Sequence, residues 1–302
     1  MEGLVMKMPT ISLLEWQKKF GTERACIKTL TKVRWPNGFQ CPVCGSKKSS
    51  FITTRRLYQC SHCRHQVSIT ADTLFHATKV PLVKWFWAIY LTASDKGGIS
   101  ALRLSKHIGV SWLTARNVLK KIRTAMAHRD SIYQLHNLIE FDDALVGGKR
   151  TGKRGRGATG KKPVLVAVET RSKGAGFVAM QAVEAVSKKN VRDFLKFNLK
   201  AGQHVRTDAF PALNAVAEHH YHEKKITPPE EASQWLPLVH IMIGNMKTFI
   251  NGTFHGVSSR YLQEYLDEFC YRFNRRFWEP ELPLRLLNAC LAHVPVKIAE
   301  FH

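Results

Sequence analysis

Four cysteines in two close pairs constrain this chain more than any other feature. Cys41-Pro-Val-Cys44 and Cys60-Ser-His-Cys63 are separated by 15 residues, and the intervening sequence alternates turn residues with short β-rich runs. Two C-x-x-C knuckles at this separation let four thiolates converge tetrahedrally on one Zn²⁺ at about 2.3 Å, as in a closed structural zinc ribbon. A redox C-x-x-C occurs once, at a helix start, and does not account for two pairs flanking a hairpin. With four thiolates in place, His62 and His65 are expected to face solvent or DNA. Cys26, Cys270 and Cys290 lie in apolar helical contexts and read as core residues.

Seven cysteines in 302 residues, four of them paired by spacing, fit metal binding in a reducing compartment better than disulfides. The N-terminus lacks the basic and apolar regions of a signal peptide, and no window approaches the roughly 18 to 20 apolar residues of a membrane span. A cytoplasmic protein without membrane contact is expected. Lys and Arg number 46 against 23 acidic residues, a net charge of +23. Such an excess favours polyanions through counterion release, so nucleic acid is the expected partner. No basic amphipathic helix points to a membrane surface instead.

The length and a hydrophobic content of 44% suffice for two or three domains. Residues 1–36 read as a helical segment, two short helices broken at Gly21-Thr22 with Leu13, Leu14, Trp16 and Phe20 forming an apolar face. Residues 37–72 form the ribbon. Residues 80–130 turn helical, and "SALRLSKHIGVSWLTARNVLKKIR" reads as a helix-turn-helix. Leu102, Leu104, Ile108, Val110, Leu113, Val118 and Ile122 supply its apolar pattern and Gly109 its tight turn. The second helix is expected to expose Arg116, Asn117, Lys120, Lys121 and Arg123 for major-groove and phosphate contact. Residues 137–302 form the last domain. Its strands are "LIEFDDALVGG", "KKPVLVAVET", "GFVAMQAV" and "QHVRTDAF", with a helix before the last, and the chain beyond them is mostly helical.

In the first of those strands alternate residues share a face, so Glu140 and Asp142 point one way and Phe141 and Asp143 the other. Asp208 ends another strand. Strand-borne aspartates distant in sequence suit a ribonuclease H-like site, where carboxylates hold two Mg²⁺ about 3.5 to 4 Å apart for in-line phosphoryl transfer. The segment that follows Asp142 is strongly basic; Lys149, Arg150, Lys153, Arg154 and Arg156 are expected to grip a DNA backbone near the cut. Tyr265, Phe269, Phe273 and Phe277 at helical spacing read as core packing, with Arg272, Arg275 and Arg276 projecting charge.

The runs "KVRWPNGFQCPVCGS", "ITADTLFHATKVPLVKWFWAIYL", "EFDDALVGGKR", "GRGATGKKPVLVAVE", "RTDAFPAL" and "LPLVHIMIGNMKTFINGTFHGVSSRYLQEYLDEFCYRFNRR" together resemble the zinc-ribbon insertion-sequence transposases of bacteria. These are members of the aspartate-aspartate-glutamate superfamily, in a group whose third metal position varies and is followed by a lysine. The resemblance covers nearly the whole chain. It implies an α+β multidomain protein, with zinc ribbon and helix-turn-helix followed by a ribonuclease H-like α/β catalytic domain with a mixed sheet. It also implies binding of terminal inverted repeats, Mg²⁺-dependent nicking, joining of the freed 3′-hydroxyl to target DNA, a homo-oligomer on paired ends, and association with the bacterial nucleoid. Mn²⁺ is an alternative catalytic cation. A non-catalytic DNA-binding derivative and a zinc-ribbon nuclease that cuts without joining are the rival readings.

Residue by residue, the family's aspartates match Asp142 and Asp208, and its lysine matches Lys247, which would steer a phosphate as a point charge. Many relatives carry glutamate seven residues before that lysine, where this chain has His240. A subgroup with asparagine points instead to Asn245. Helical period places His240 beside Lys247, whereas the preference of Mg²⁺ for oxygen favours Asn245. Both are carried as candidates, Asn245 first.

Overall fold

The computed structural model describes residues 9–147, 160–172, 174–226, 228 and 231–293. The chain divides into two compact units, residues 1–125 together with 278–302, and residues 126–277.

The first unit opens with helices α1 (Leu13–Phe20) and α2 (Glu23–Arg34). Ser12 and Glu15 form a capping box at α1, and Thr22 caps α2, so the break at Gly21-Thr22 is built from local chemistry. Trp16 and Phe20 are buried, but Leu13 and Leu14 are exposed. The stripe one turn apart meets the rings of Tyr90 and Phe86, and the first turn of α1 stays in solvent. Strands β1 (Ser49–Ile52), β2 (Leu57–Cys60) and β3 (Gln66–Ser68) form an antiparallel sheet in that order.

Three helices follow, α3 (Leu82–Ser94), α4 (Ala101–Ile108) and α5 (Trp112–Asp130). Helix α3 has no side-chain cap of its own; the Glu23 carboxylate of α2 accepts from the N–H groups of Leu82 and Val83 at 3.0 Å each. A carboxylate there satisfies two otherwise orphaned donors and complements the helix dipole. Gly109 ends α4 at φ +60°, a left-handed conformation that a side chain would strain. Leu104, Ile108, Val118 and Ile122 are buried as patterned, while Leu102 and Leu113 are exposed.

The second unit holds β4 (Leu138–Val146), β5 (Lys162–Arg171), β6 (Gly174–Ala182), α6 (Lys188–Asn198), β7 (His204–Asp208), β8 (Tyr221–Lys225), α7 (Ala232–Trp235), α8 (Pro237–Phe254) and α9 (Leu262–Phe273). The sheet order is β6-β5-β4-β7-β8, antiparallel across β6-β5-β4 and parallel across β4-β7-β8. This is the mixed sheet expected of a ribonuclease H-like core. Period-2 alternation splits its faces. Ile139, Phe141, Leu165 and Ala167 pack with α6 residues, whereas Ala144, Val146, Val164, Val166 and Val168 pack with α8 and α9. Asp142 therefore faces α8, and Asp143 faces the other side. Strand β8 is absent from the sequence reading because "YHEKK" is polar and mostly exposed; it exists by pairing with β7 at the sheet margin.

The opposite margin, β6, is covered by side chains around α9. Asn274 accepts from the Val178 N–H at 2.8 Å and donates to the Val178 carbonyl at 3.1 Å; Gln263 does the same for Ala182 and Met180. Arg276 donates to the Ala175 and Gly176 carbonyls. An edge whose polar groups are occupied is a poor template for another strand.

Helix α10 (Leu282–Ala292) packs on α3 in the first unit. As a compact unit the first takes in residues 278–302, and the second covers 126–277. Helix α3, "LVKWFWAIYLTAS", is apolar nearly all round and buries its further side under the leucines of α10.

Candidate metal and catalytic sites

The two knuckles share one backbone design. The Gly45 N–H donates to the Cys41 carbonyl at 3.0 Å and the Arg64 N–H to that of Cys60 at 3.1 Å, with both donor residues left-handed. The turns bring the sulfurs of Cys41, Cys44, Cys60 and Cys63 within 4.8 Å of one another; the Cys41–Cys63 and Cys44–Cys60 separations are 3.5 Å. Sulfurs about 2.3 Å from a tetrahedral Zn²⁺ lie about 3.8 Å apart, so the donor set fits a structural zinc. The crowded thiols share their protons unequally: the Cys63 and His62 N–H groups hold the Cys60 thiol down, while the sulfurs of Cys44, Cys41 and Cys60 push that of Cys63 up. His62 and His65 are exposed and outside the cluster. Cys26, Cys270 and Cys290 are buried.

In the second unit the parallel pairing of β4 with β7 runs from Leu138↔His204 to Glu140↔Arg206. The paired segment stops there; continued by two residues, its register would set Asp142 level with Asp208, and equivalent residues on adjacent parallel strands project to the same face. Asp142 is buried, and its Oδ1 accepts from the Asp143 N–H at 2.8 Å. Asp208 Oδ1 accepts from the Phe210 N–H at 3.0 Å, which turns the chain away from the strand end. The Trp235 indole N–H donates to the Thr207 carbonyl, and Thr207 Oγ1 lies 2.8 Å from His222 Nε2, bracing this end of β7.

Helix α8 crosses the same face. His240 Nε2 lies 3.9 Å from Asp142 Oδ2. Burial lowers the affinity of His240 for a proton and outweighs the attraction of Asp208, while Lys247 also disfavours the charged form. The structure thus brings Asp142, Asp208, His240 and Lys247 into one electrostatic neighbourhood. Asn245 is exposed on α8, five residues beyond His240 and so about 140° round the helix. One further contact has no counterpart in the sequence reading: Glu140 Oε2 accepts from the Val239 N–H at 2.9 Å.

On α5, Asn117 is exposed and Arg116 and Lys120 are partly so; the Arg116 guanidinium lies 6.0 Å from the ring of exposed Trp112. Lys121 does not point outward. Its Nζ donates to the Leu74 carbonyl at 3.3 Å and lies 5.9 Å from the Trp85 ring, and burial lowers its pKa. Arg123 is buried. Sequence places both on the DNA-facing side of α5; the structure instead turns Lys121 to the Leu74 carbonyl, a partner outside the helix's own period, and buries Arg123. Arg272 and Arg275 are likewise drawn inward, to Glu268 at 3.1 Å and Asp130 at 2.5 Å, and Arg276 serves the β6 edge. Phe269 is buried with Tyr265 and Phe273 packed beside it, while Phe277 is exposed. Lys149, Arg150, Lys153, Arg154 and Arg156 lie outside the described residues. Among the described residues no helix is long and apolar enough to cross a membrane.

Fold and sites together define a ribonuclease H-like protein carrying a zinc ribbon. Comparison with known proteins narrows this: residues 134–274 match the ISXO2-like transposase domain, and residues 21–66 match the transposase zinc-ribbon domain. A protein of Halobacterium salinarum described as an uncharacterized protein in transposable element ISH50 is 28% identical over 220 residues, covering 67% of this chain and 72% of that one. Among solved structures, the Mos1 strand transfer complex aligns at a TM-score of 0.28 and 14% identity over 68% of this chain and 76% of that one. A pre-cleavage Mos1 transpososome aligns at 0.26 and 12% over 65% and 74%. The chain belongs to the zinc-ribbon insertion-sequence transposases of the aspartate-aspartate-glutamate type.

Proposed function

We propose that this transposase nicks DNA at the terminal inverted repeats of its element and joins the freed 3′-hydroxyl to target DNA, as a polynucleotidyl transferase dependent on divalent cations. The observation that supports this reading is the 3.9 Å approach of His240 on α8 to Asp142 on β4, with Asp208 at the end of the neighbouring strand β7 acting on His240 electrostatically. The two carboxylates suit hard cations such as Mg²⁺, and the imidazole suits a softer one, so Mn²⁺ is accommodated as well. When bound, two such cations supply Lewis acidity to the attacking and leaving oxygens of an in-line displacement. Asp142 and Asp208 hold them. His240 takes the third position in preference to Asn245, because it shares the face of Lys247 and stands beside Asp142. Lys247 draws in a flanking phosphate.

DNA contact is assigned to Arg116, Asn117 and Lys120 on α5, with phosphates gripped by the basic segment after β4. The zinc ribbon, 37–72, and the helices of 80–130 would bind the ends, and a dimer or larger assembly would pair them. The test is a nicking and joining assay on the DNA flanking the element's own gene, with Mg²⁺ and Mn²⁺ compared. Asp142→Ala and Asp208→Ala are each expected to abolish nicking while leaving end binding intact; full strand transfer by either variant would refute the site.

A further inference from the structure

Helix α8 begins at Pro237 and has no local side-chain cap. Val239, in its first turn, is fully buried, so its N–H needs an acceptor inside the protein. That acceptor comes from β4, where Glu140 Oε2 stands 2.9 Å away. Glu140 is itself buried, and desolvation raises its pKa against the opposing pull of the Val239 and Leu238 N–H groups and of Arg206. A buried carboxylate is costly unless hydrogen-bonded, and this one is spent on the start of the helix that carries His240.

The spacing gives the contact its meaning. Glu140 and Asp142 lie two residues apart on one strand face, about 7 Å along β4. Val239 and His240 are consecutive on α8. One strand thus meets one helical turn at two points, Glu140 at the Val239 N–H and Asp142 at the His240 imidazole. Since each helical residue turns the side chain by about 100°, a slip of one residue at the first point would carry His240 and Lys247 off the catalytic face.

We propose that Glu140 is a positioning residue, whose carboxylate pins the first turn of α8 to β4 and thereby presents His240 and Lys247 to Asp142 and Asp208. This rests on the metal-site reading above. The role requires an acceptor at the right reach rather than a negative charge, which separates it from metal ligation and from bulk stability.

The experiment measures nicking of a cognate end by full-length protein, with kcat, KM for DNA and the divalent-cation concentration giving half-maximal rate. Glu140→Gln keeps an acceptor at the same reach and is expected to retain nicking within about threefold. Glu140→Asp keeps the charge but withdraws it by one methylene. It is expected to lose about tenfold or more in kcat and to need more cation, with KM unchanged, as when an orienting partner of a metal ligand is removed. Wild-type kcat in Glu140→Asp overturns the proposal. So does a Glu140→Gln variant that folds but does not nick, since charge rather than reach would then be required. Asp142→Asn runs alongside: if it nicks normally the metal-site reading itself fails, and if it is inactive while the Gln and Asp variants behave in the opposite order, only the positioning role fails.

Discussion

Replacing His240 with glutamate puts a carboxylate opposite Asp142, and its consequences follow from one distance. The imidazole stands 3.9 Å from Asp142 and is held toward its neutral form by burial. A carboxylate in its place would meet a like charge at about that separation, worth about 4 kcal/mol at an effective dielectric of 20 and about 1 kcal/mol in bulk water. Because the His240 side chain is 35% exposed, about 2 to 3 kcal/mol is the expected cost without metal. At about 3 °C per kcal/mol, the second unit of His240→Glu should melt about 6 to 9 °C lower in chelator than the uncharged control His240→Gln. Mg²⁺ at a hundred times its dissociation constant adds about 2.7 kcal/mol and should recover most of the loss. The cation preference should also move. Wild-type protein, with its nitrogen donor, is expected to nick faster in Mn²⁺ than in Mg²⁺, and His240→Glu to favour Mg²⁺. Scanning calorimetry in chelator, Mg²⁺ and Mn²⁺ reads the first effect and the nicking assay the second. Equal melting of the Glu and Gln variants in all three buffers would refute the placement of residue 240 beside Asp142's charge.

Other consequences are simpler. Asn274→Ala removes the partners of the Val178 N–H and carbonyl and one donor to Asp130, and should destabilise the second unit by about 2 to 5 kcal/mol in urea unfolding; a loss under about 1 kcal/mol would show that the β6 edge is satisfied otherwise. Purified protein with reduced thiols should hold one zinc per chain, and its removal should alter Trp35 fluorescence, because the indole packs 5.1 Å from Tyr58 on β2; metal analysis finding no zinc contradicts the ribbon. His222 is held below its ordinary pKa by burial and then by Lys224. As pH falls through about 6.5 the unfolded chain therefore takes its proton first, so stability present above that pH declines below it, and His222→Asn should flatten the decline. An unchanged pH slope in that variant would assign the effect to other groups.

The parts of this fold that sequence makes legible are those with strict local periods. Two C-x-x-C pairs specify the ribbon, and period-2 alternation separates Asp142 from Asp143. Helical period sets His240 beside Lys247, and the structure puts that histidine, not Asn245, next to Asp142. Hardness of the cation argues the other way from sequence because it weighs the donor atom without knowing which face of α8 is turned inward. What stays hidden is what depends on non-local partners. The charged segment Tyr221–Lys225 becomes a strand only because β7 offers an edge, and Lys121 is drawn inward by the Leu74 carbonyl, 47 residues away. Glu140 reads as a neighbour of Asp142 and nothing more until the start of α8 is placed against it.

The distribution of charge then answers why so basic a chain keeps these acids where it does. Among the described residues Glu140, Asp142, Glu169, Glu268 and Glu281 are buried, whereas Arg123 is the one buried Lys or Arg. The interior acids have defined work: Glu140 holds a helix start, and Glu169 accepts from the Tyr133 hydroxyl, the His136 and Phe177 N–H groups and Arg171. A carboxylate retired into the core in this way no longer screens the basic surface at close range. Those five of the 23 acidic residues are thus given to the interior, while others such as Asp72 and Glu184 stay exposed, so the surface is more positive than a count of residues would suggest without being free of negative charge.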